Sequence, residues 1–242
     1  MSALNQENVE SEPGLAIYLC WGGPLTGQCR WLYRAISREG AGLTIDEGYI
    51  KYVSHWTPGP ATHKVAAREL DTWRKPLYLA GLIGQYKDLG IGYGNISVRR
   101  GSGNLFLISG TQTGDLRSTD ERHYSLVTDC DIRNNIVRCS GPVQASSEAM
   151  THGAIYALGD AIGAVVHVHS AELWQSNLGK LPTTNPDIAY GTPDMALELD
   201  RLYRLAGFKE SGVAVLAGHD EGLISFGTTL EEAANRVLRF VC

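Results

Sequence analysis

The chain has 242 residues, 43% of them hydrophobic and 19% charged, an ordinary globular composition with room for one large α/β domain or two small ones. A net charge of −5 without a Lys/Arg cluster argues against nucleic acid as the main ligand. No apolar run approaches the ~18 residues of a membrane span, and the acidic N-terminus does not read as a secretion signal, so none is expected.

Five cysteines (Cys20, Cys29, Cys130, Cys139, Cys242) are scattered, odd in number and without a CxxC pair. They read as reduced thiols, so a soluble cytoplasmic protein is expected. Residues 1–43 form an N-terminal extension. Its opening Met1–Pro13 is polar and is expected to be disordered. Gly14–Arg34 carries Tyr18, Trp21, Trp31 and Tyr33 without a period of 2 or 3.6. The domain proper is expected over residues 44–242.

Asp46–Pro60 is aromatic and closes on the breaker Thr57-Pro58-Gly59-Pro60. A helix is predicted from about Thr62, with Leu70, Trp73, Leu77 and Ala80 or Gly81 on one stripe. Pro76 inside it predicts a kink, or two helices meeting there. Gly90-Ile-Gly-Tyr-Gly94 ends that helix. Asn95–Arg99 and Leu105–Ser109 read as a hairpin around Arg100–Gly103, and His123–Cys130 and Ile136–Cys139 as another. No helix separates these strands, so they are expected to be antiparallel.

A helix opens at Ser146-Ser147 and runs to about Leu158, followed by the strand Gly163–His169 and a short helix Ala171–Asn177. Thr192-Pro193 starts a helix to about Leu205. Val213–Ala217 and Leu223–Phe226 form a last strand pair, and Thr228–Cys242 a terminal helix. Central strands with flanking helices predict an α/β sandwich around a largely antiparallel sheet.

His167 and His169 stand i, i+2 at the end of a β-branched run, so both side chains leave one face of the strand. Two converging imidazoles begin a transition-metal site, although His-Val-His also arises by chance. His55, His63, His123, His152 and His219 are candidates for a third ligand. His219 lies at a turn between two predicted strands, where a side chain enters a cleft or simply faces solvent. Glu148 follows two serines that suit a helix start. It is either a proton carrier beside a metal or a complement to the helix dipole. His152, four residues on, shares its face and is read as packing beneath it. Gly94–Ser97 and Ser109–Gly114 are glycine-rich turns that let backbone approach an anion, though neither is a Walker A loop.

Five blocks occur in order: Gly94-Asn95-Ile96-Ser97; Ile108-Ser109 to Thr113-Gly114; Ser146-Ser147-Glu148 with His152; His167-Val168-His169-Ser170; and His219 with Gly222–Gly227 before a Glu-Glu helix. Over about Leu70 to Val241 this resembles the class II aldolase/adducin N-terminal-domain family. The resemblance implies a three-layer α/β/α sandwich with a central, largely antiparallel sheet, assembled as a homotetramer. It implies zinc, or another divalent metal, held by His167, His169 and His219, with Glu148 as the catalytic acid/base. Asn95, Thr113, Gly114, Ser146 and Ser147 match positions that hold a substrate phosphate.

The implied activity is that of a zinc-dependent, aldolase-like lyase of carbohydrate metabolism, acting on a small hydroxy-carbonyl substrate, a sugar or sugar phosphate. The metal would stabilise an enediolate while Glu148 moves the proton. A dehydratase or decarboxylase on the same framework, or a non-catalytic adducin-like scaffold, are the alternatives.

Three features depart from the family pattern. Asp220-Glu221 separates His219 from its glycine and is expected to disfavour a dianionic phosphate near the metal. The Ile108–Gly114 loop is two residues longer than usual, which reshapes the phosphate cradle. The last helix is expected to close the domain, without the tail that supplies a substrate-facing tyrosine in some members.

Overall fold

The third-from-edge strand of the sheet reads Ala-Val-Val-His-Val-His and is buried along its whole length. A strand covered on both faces must be apolar on both, which explains this near-continuous β-branched run. The computed structural model describes residues 48–101 and 103–241. The predicted N-terminal extension, residues 1–43, lies outside the described residues.

In chain order the elements are β1 (Val53–Pro58), α1 (Lys64–Leu79), β2 (Gly84–Tyr86), β3 (Ile91–Tyr93), β4 (Asn95–Arg99), β5 (Phe106–Ser109), β6 (Tyr124–Asp131) and β7 (Ile136–Gly141). There follow α2 (Ala149–Ala157), β8 (Ala164–His169), α3 (Ala171–Asn177), α4 (Pro193–Leu205), α5 (Phe208–Ser211), β9 (Val213–Val215), β10 (Gly222–Gly227) and α6 (Leu230–Leu238). Eight strands form one sheet in the order β1-β7-β6-β5-β4-β8-β10-β9, while β2 and β3 pair separately. The large sheet is antiparallel except where β1 runs parallel to β7.

The apolar residues divide into two clusters, one on each face of the sheet. Val165 of β8 and Ile224 and Phe226 of β10 pack with Met150, Ala154 and Ile155 of α2 and with Met195 and Leu199 of α4. Ala164, Val166 and Val168 of β8, with Leu223 of β10, pack with Leu70 and Leu77 of α1 and Ala233 and Val237 of α6. This is the expected three-layer α/β/α sandwich. The alternation along β8 puts His167 and His169 on the same side as Val165, facing α2.

Several local expectations are corrected. Val53–Pro58, read only as an aromatic stretch ending in a breaker, is an edge strand; Pro58 is tolerated because it ends that strand at the sheet's margin. Gly84–Tyr93 is not merely the end of a helix but a small hairpin. α1 runs through Pro76 as one element rather than as two helices. Near a helix end proline removes only one intrahelical bond, and the Pro76 carbonyl still accepts from the Ala80 N–H at 3.0 Å. α2 starts at Ala149, so Ser146–Glu148 is the turn leading into it. The terminal helix starts at Leu230, with Thr229 as its cap accepting from the Glu232 N–H.

Candidate metal centre

The register of β8 sets the site. His167 pairs with Asn95 of β4 on one side and with Ile224 of β10 on the other, and His169 pairs with Gly222. His219 arrives from the turn between β9 and β10, closed by the Gly222 N–H donating to the His219 carbonyl at 2.9 Å. The three Nε2 atoms stand 3.0, 3.2 and 3.1 Å apart, with all three side chains buried. Gly222 allows this convergence: a Cβ there would lie 2.6 Å from His219 Cδ2 and 3.2 Å from His167 Cε1.

The donor set fits a divalent metal. A tetrahedral ion with nitrogen ligands at ~2.05 Å spaces them about 3.3 Å apart, close to the triangle observed. The Nδ1–H of His167 donates to the Leu223 carbonyl at 3.0 Å, leaving the Nε2 lone pair directed at the other two rings. Burial lowers the pKa of His167 to about 4 and those of His169 and His219 well below the ordinary range. All three are therefore neutral near pH 7, the form a metal requires.

Glu148 occupies the N-terminal end of α2, beside this triangle, without its side chain capping the helix. Its Oε1 lies 3.8 Å from His219 Nε2, and neither carboxylate oxygen has a hydrogen-bond partner among the described residues. Burial raises its pKa to about 7, against smaller pulls from the nearby Thr151 hydroxyl and the Lys51 ammonium.

Next to the metal position, Asn95, Thr113, Gly114, Ser146 and Ser147 line a single cleft, so the structure brings together all five predicted substrate-binding positions. The Asn95 Oδ1 is buried without a hydrogen-bond partner among the described residues. Gly114 is required by close packing, because a Cβ there would lie 2.0 Å from the Gly84 carbonyl oxygen.

The remaining histidines lie elsewhere. His55 is exposed on β1, His63 precedes α1, and His123 accepts from the Asp120 N–H at 3.0 Å. His152 lies buried behind the site, with its Nδ1 2.7 Å from the Ser97 hydroxyl, which agrees with a packing role.

Four residues at the site escaped the sequence reading. Arg74 of α1 is fully buried and donates to the carbonyls of Leu116, Thr113 and Gly114 at 2.5, 2.7 and 3.3 Å, tying down the cleft loop. Its helical spacing from Leu70 and Leu77 was the available signal. The Tyr190 ring packs 4.2 Å from the His219 ring, with the Lys51 ammonium 3.7 Å above it. Tyr86 of β2 lies 3.1 Å from His169 Nδ1 and donates to Glu221 Oε2 at 2.8 Å. Sequence distance hides all of these contacts; helical spacing signals only that Arg74 lies on the buried stripe of α1. Glu221 therefore lies behind His169, and Asp220 is exposed.

A layered α/β/α domain with three histidines gathered at the end of β8 has the fold of the class II aldolases. The chain belongs to the family described as Class II Aldolase and Adducin N-terminal domain, whose model matches residues 78–241. Among solved structures, an L-fuculose 1-phosphate aldolase is 21% identical, with a TM-score of 0.54 to 0.56 shared by several neighbours and here 0.56; the match covers 74% of this chain and 84% of that one. A sugar-phosphate aldolase from Thermotoga maritima is 18% identical at a TM-score of 0.55, covering 73% of this chain and 90% of its own. YgbL from Klebsiella pneumoniae is 20% identical at 0.54, covering 72% and 84%. Likeness at this identity is a likeness of fold. No curated protein matches the chain.

Proposed function

We propose that this protein is a metal-dependent lyase of the class II aldolase type. In this reading it holds zinc through His167, His169 and His219 and acts on a small hydroxy-carbonyl compound, a sugar or sugar phosphate. The observation that carries the reading is the buried Glu148 carboxylate, unpartnered among the described residues and 3.8 Å from a nitrogen of the histidine triangle. A structural carboxylate in that position would be unfavourable, because burying an unpaired acid costs free energy that only function repays.

Zinc, when bound, supplies a Lewis acid for the substrate's carbonyl and hydroxyl oxygens. The protein does the rest. With its pKa near 7, Glu148 can both take a proton from the carbon next to the substrate carbonyl and return it. The cleft at Asn95, Thr113, Gly114, Ser146 and Ser147 offers amide, hydroxyl and backbone donors to the substrate's far end, suited to a phosphate or another anion. The family resemblance supports a homotetramer. The free thiols Cys130 and Cys139 accord with a reducing cytoplasm.

The test is metal analysis of the purified protein, followed by aldehyde release from paired phosphorylated and unphosphorylated ketoses. Bound zinc with aldehyde release that disappears in His167→Ala and Glu148→Gln is the expected result. A protein that retains no divalent metal overturns the reading. Bound metal with release of water or carbon dioxide instead of aldehyde moves it to a dehydratase or a decarboxylase.

A further inference from the structure

The three histidines are oriented unequally. His167 is held by a neutral backbone carbonyl, that of Leu223. His169 is held by a side-chain chain that ends in a carboxylate: its Nδ1 lies 3.1 Å from the Tyr86 hydroxyl, and that hydroxyl lies 2.8 Å from Glu221 Oε2. An ionised carboxylate only accepts, so the Tyr86 proton goes to Glu221 and the Tyr86 oxygen accepts from Nδ1–H of His169. The lone pair of His169 is thereby placed on Nε2, the atom 3.0 and 3.1 Å from the other two histidines.

The backbone adds an independent observation. Glu221 has a φ of +66°, in the left-handed region that glycine adopts at no steric cost and a residue with a Cβ does not. It lies in the same turn that presents His219, and its carbonyl accepts from the Ser170 N–H at 2.9 Å. A strained non-glycine residue whose carboxylate accepts from the tyrosine beside the neighbouring strand's ligand fits a role for the side chain, since glycine would suit the backbone better.

We propose that Tyr86 and Glu221 form an orienting pair for His169, setting its tautomer and bringing negative charge within two hydrogen bonds of the metal. This rests on the metal-centre reading above. Both are positioning residues, acting through His169. The turn His219–Gly222 then serves the centre twice, with one ligand of its own and the support of another. Outer hydrogen bonds of this kind typically change metal affinity ~10–100-fold.

Chelator competition on the full chain, with zinc as the probe, reads the effect, and the thermal midpoint of the metal-free protein serves as the structural control. Tyr86→Phe and Glu221→Gly are expected to weaken zinc binding by about 10–100-fold, and the double variant by no more than the stronger single, because the two act as one chain. Glu221→Gln, which keeps the backbone strain and an acceptor but loses the charge, is expected to lose less. Glu221→Gly should raise the metal-free midpoint by relieving the left-handed backbone, opposite to what loss of a merely structural contact gives.

Wild-type zinc binding that is unchanged in Tyr86→Phe and Glu221→Gly overturns the orienting pair and leaves the metal centre standing. Loss of affinity that tracks a lowered metal-free midpoint in both variants also overturns it, as a folding effect. A wild-type protein that binds no divalent metal overturns the underlying reading and this inference together.

Discussion

Glu148 Oε1 lies 3.8 Å from His219 Nε2, and both side chains are buried. The carboxylate comes from the N-terminus of α2 and the imidazole from a turn between two strands 71 residues further along. Their meeting sets a buried carboxylate beside the histidine triangle, where the proposed function needs a proton carrier.

Replacing that carboxylate isolates its chemistry. Glu148→Gln keeps the shape, so kcat is expected to fall about 10²–10⁴-fold while zinc content remains that of the wild type. Steady-state kinetics beside metal analysis checks it. A variant that keeps wild-type kcat removes Glu148 from the reaction.

Gly222 is expected to control how closely the histidines approach. Gly222→Ala drives a methyl group against His219 Cδ2 and His167 Cε1. Zinc affinity should drop by about tenfold or more, because both ligands are displaced at once. Chelator competition reads the loss, and an unchanged affinity would show that the turn yields without moving the rings.

Stability without metal should fall in acid. His152, His167, His169 and His219 all have folded pKa values below their ordinary 6.5, so the unfolded chain binds more protons than the folded one as the pH drops. Their contribution is complete above pH ~6.5 and is lost as the pH falls towards the folded values. For His167, at about 4, that loss reaches about 3 kcal/mol. Glu148 acts in the opposite sense: its raised pKa gives stability below its unfolded value of 4.5 that is lost as the pH rises through about 7. One group is outweighed by four. Urea midpoints of metal-free protein at pH 7.5 and 5 should therefore decrease on acidification, and a flat profile would contradict the burial of these rings as neutral groups.

Arg74 anchors the cleft loop. Arg74→Met leaves the carbonyls of Thr113, Gly114 and Leu116 without their cationic donor, at an expected cost of about 3 kcal/mol. The urea midpoint measures that cost, and KM for an anionic substrate should rise in the same variant because the loop loses its tether.

The strands β4 to β8 and the helices α2, α4 and α6 were legible because each has local signals: alternation, a breaker, a capping threonine or a proline at the first turn. β1 was not, since it is the edge strand and most of its side chains face outward, so no buried alternation marks it. The β2–β3 hairpin was hidden because glycines and tyrosines describe a loop as well as a strand. Within the site, His167, His169 and Glu148 were legible from spacing and order. Tyr86 was not, since nothing in Gly84-Gln85-Tyr86 refers to a histidine 83 residues away.

Sequence alone therefore specified the residue types, their order and the face of β8 from which two imidazoles project, because period-2 alternation is a local property of the chain. Folding brought His219, named by the family resemblance, within 3.2 Å of both strand histidines, buried Glu148 beside it, and turned Glu221 to hold Tyr86. Those outcomes depend on strand order and on a turn closing over Gly222, which are long-range packing relationships that no short stretch of sequence encodes.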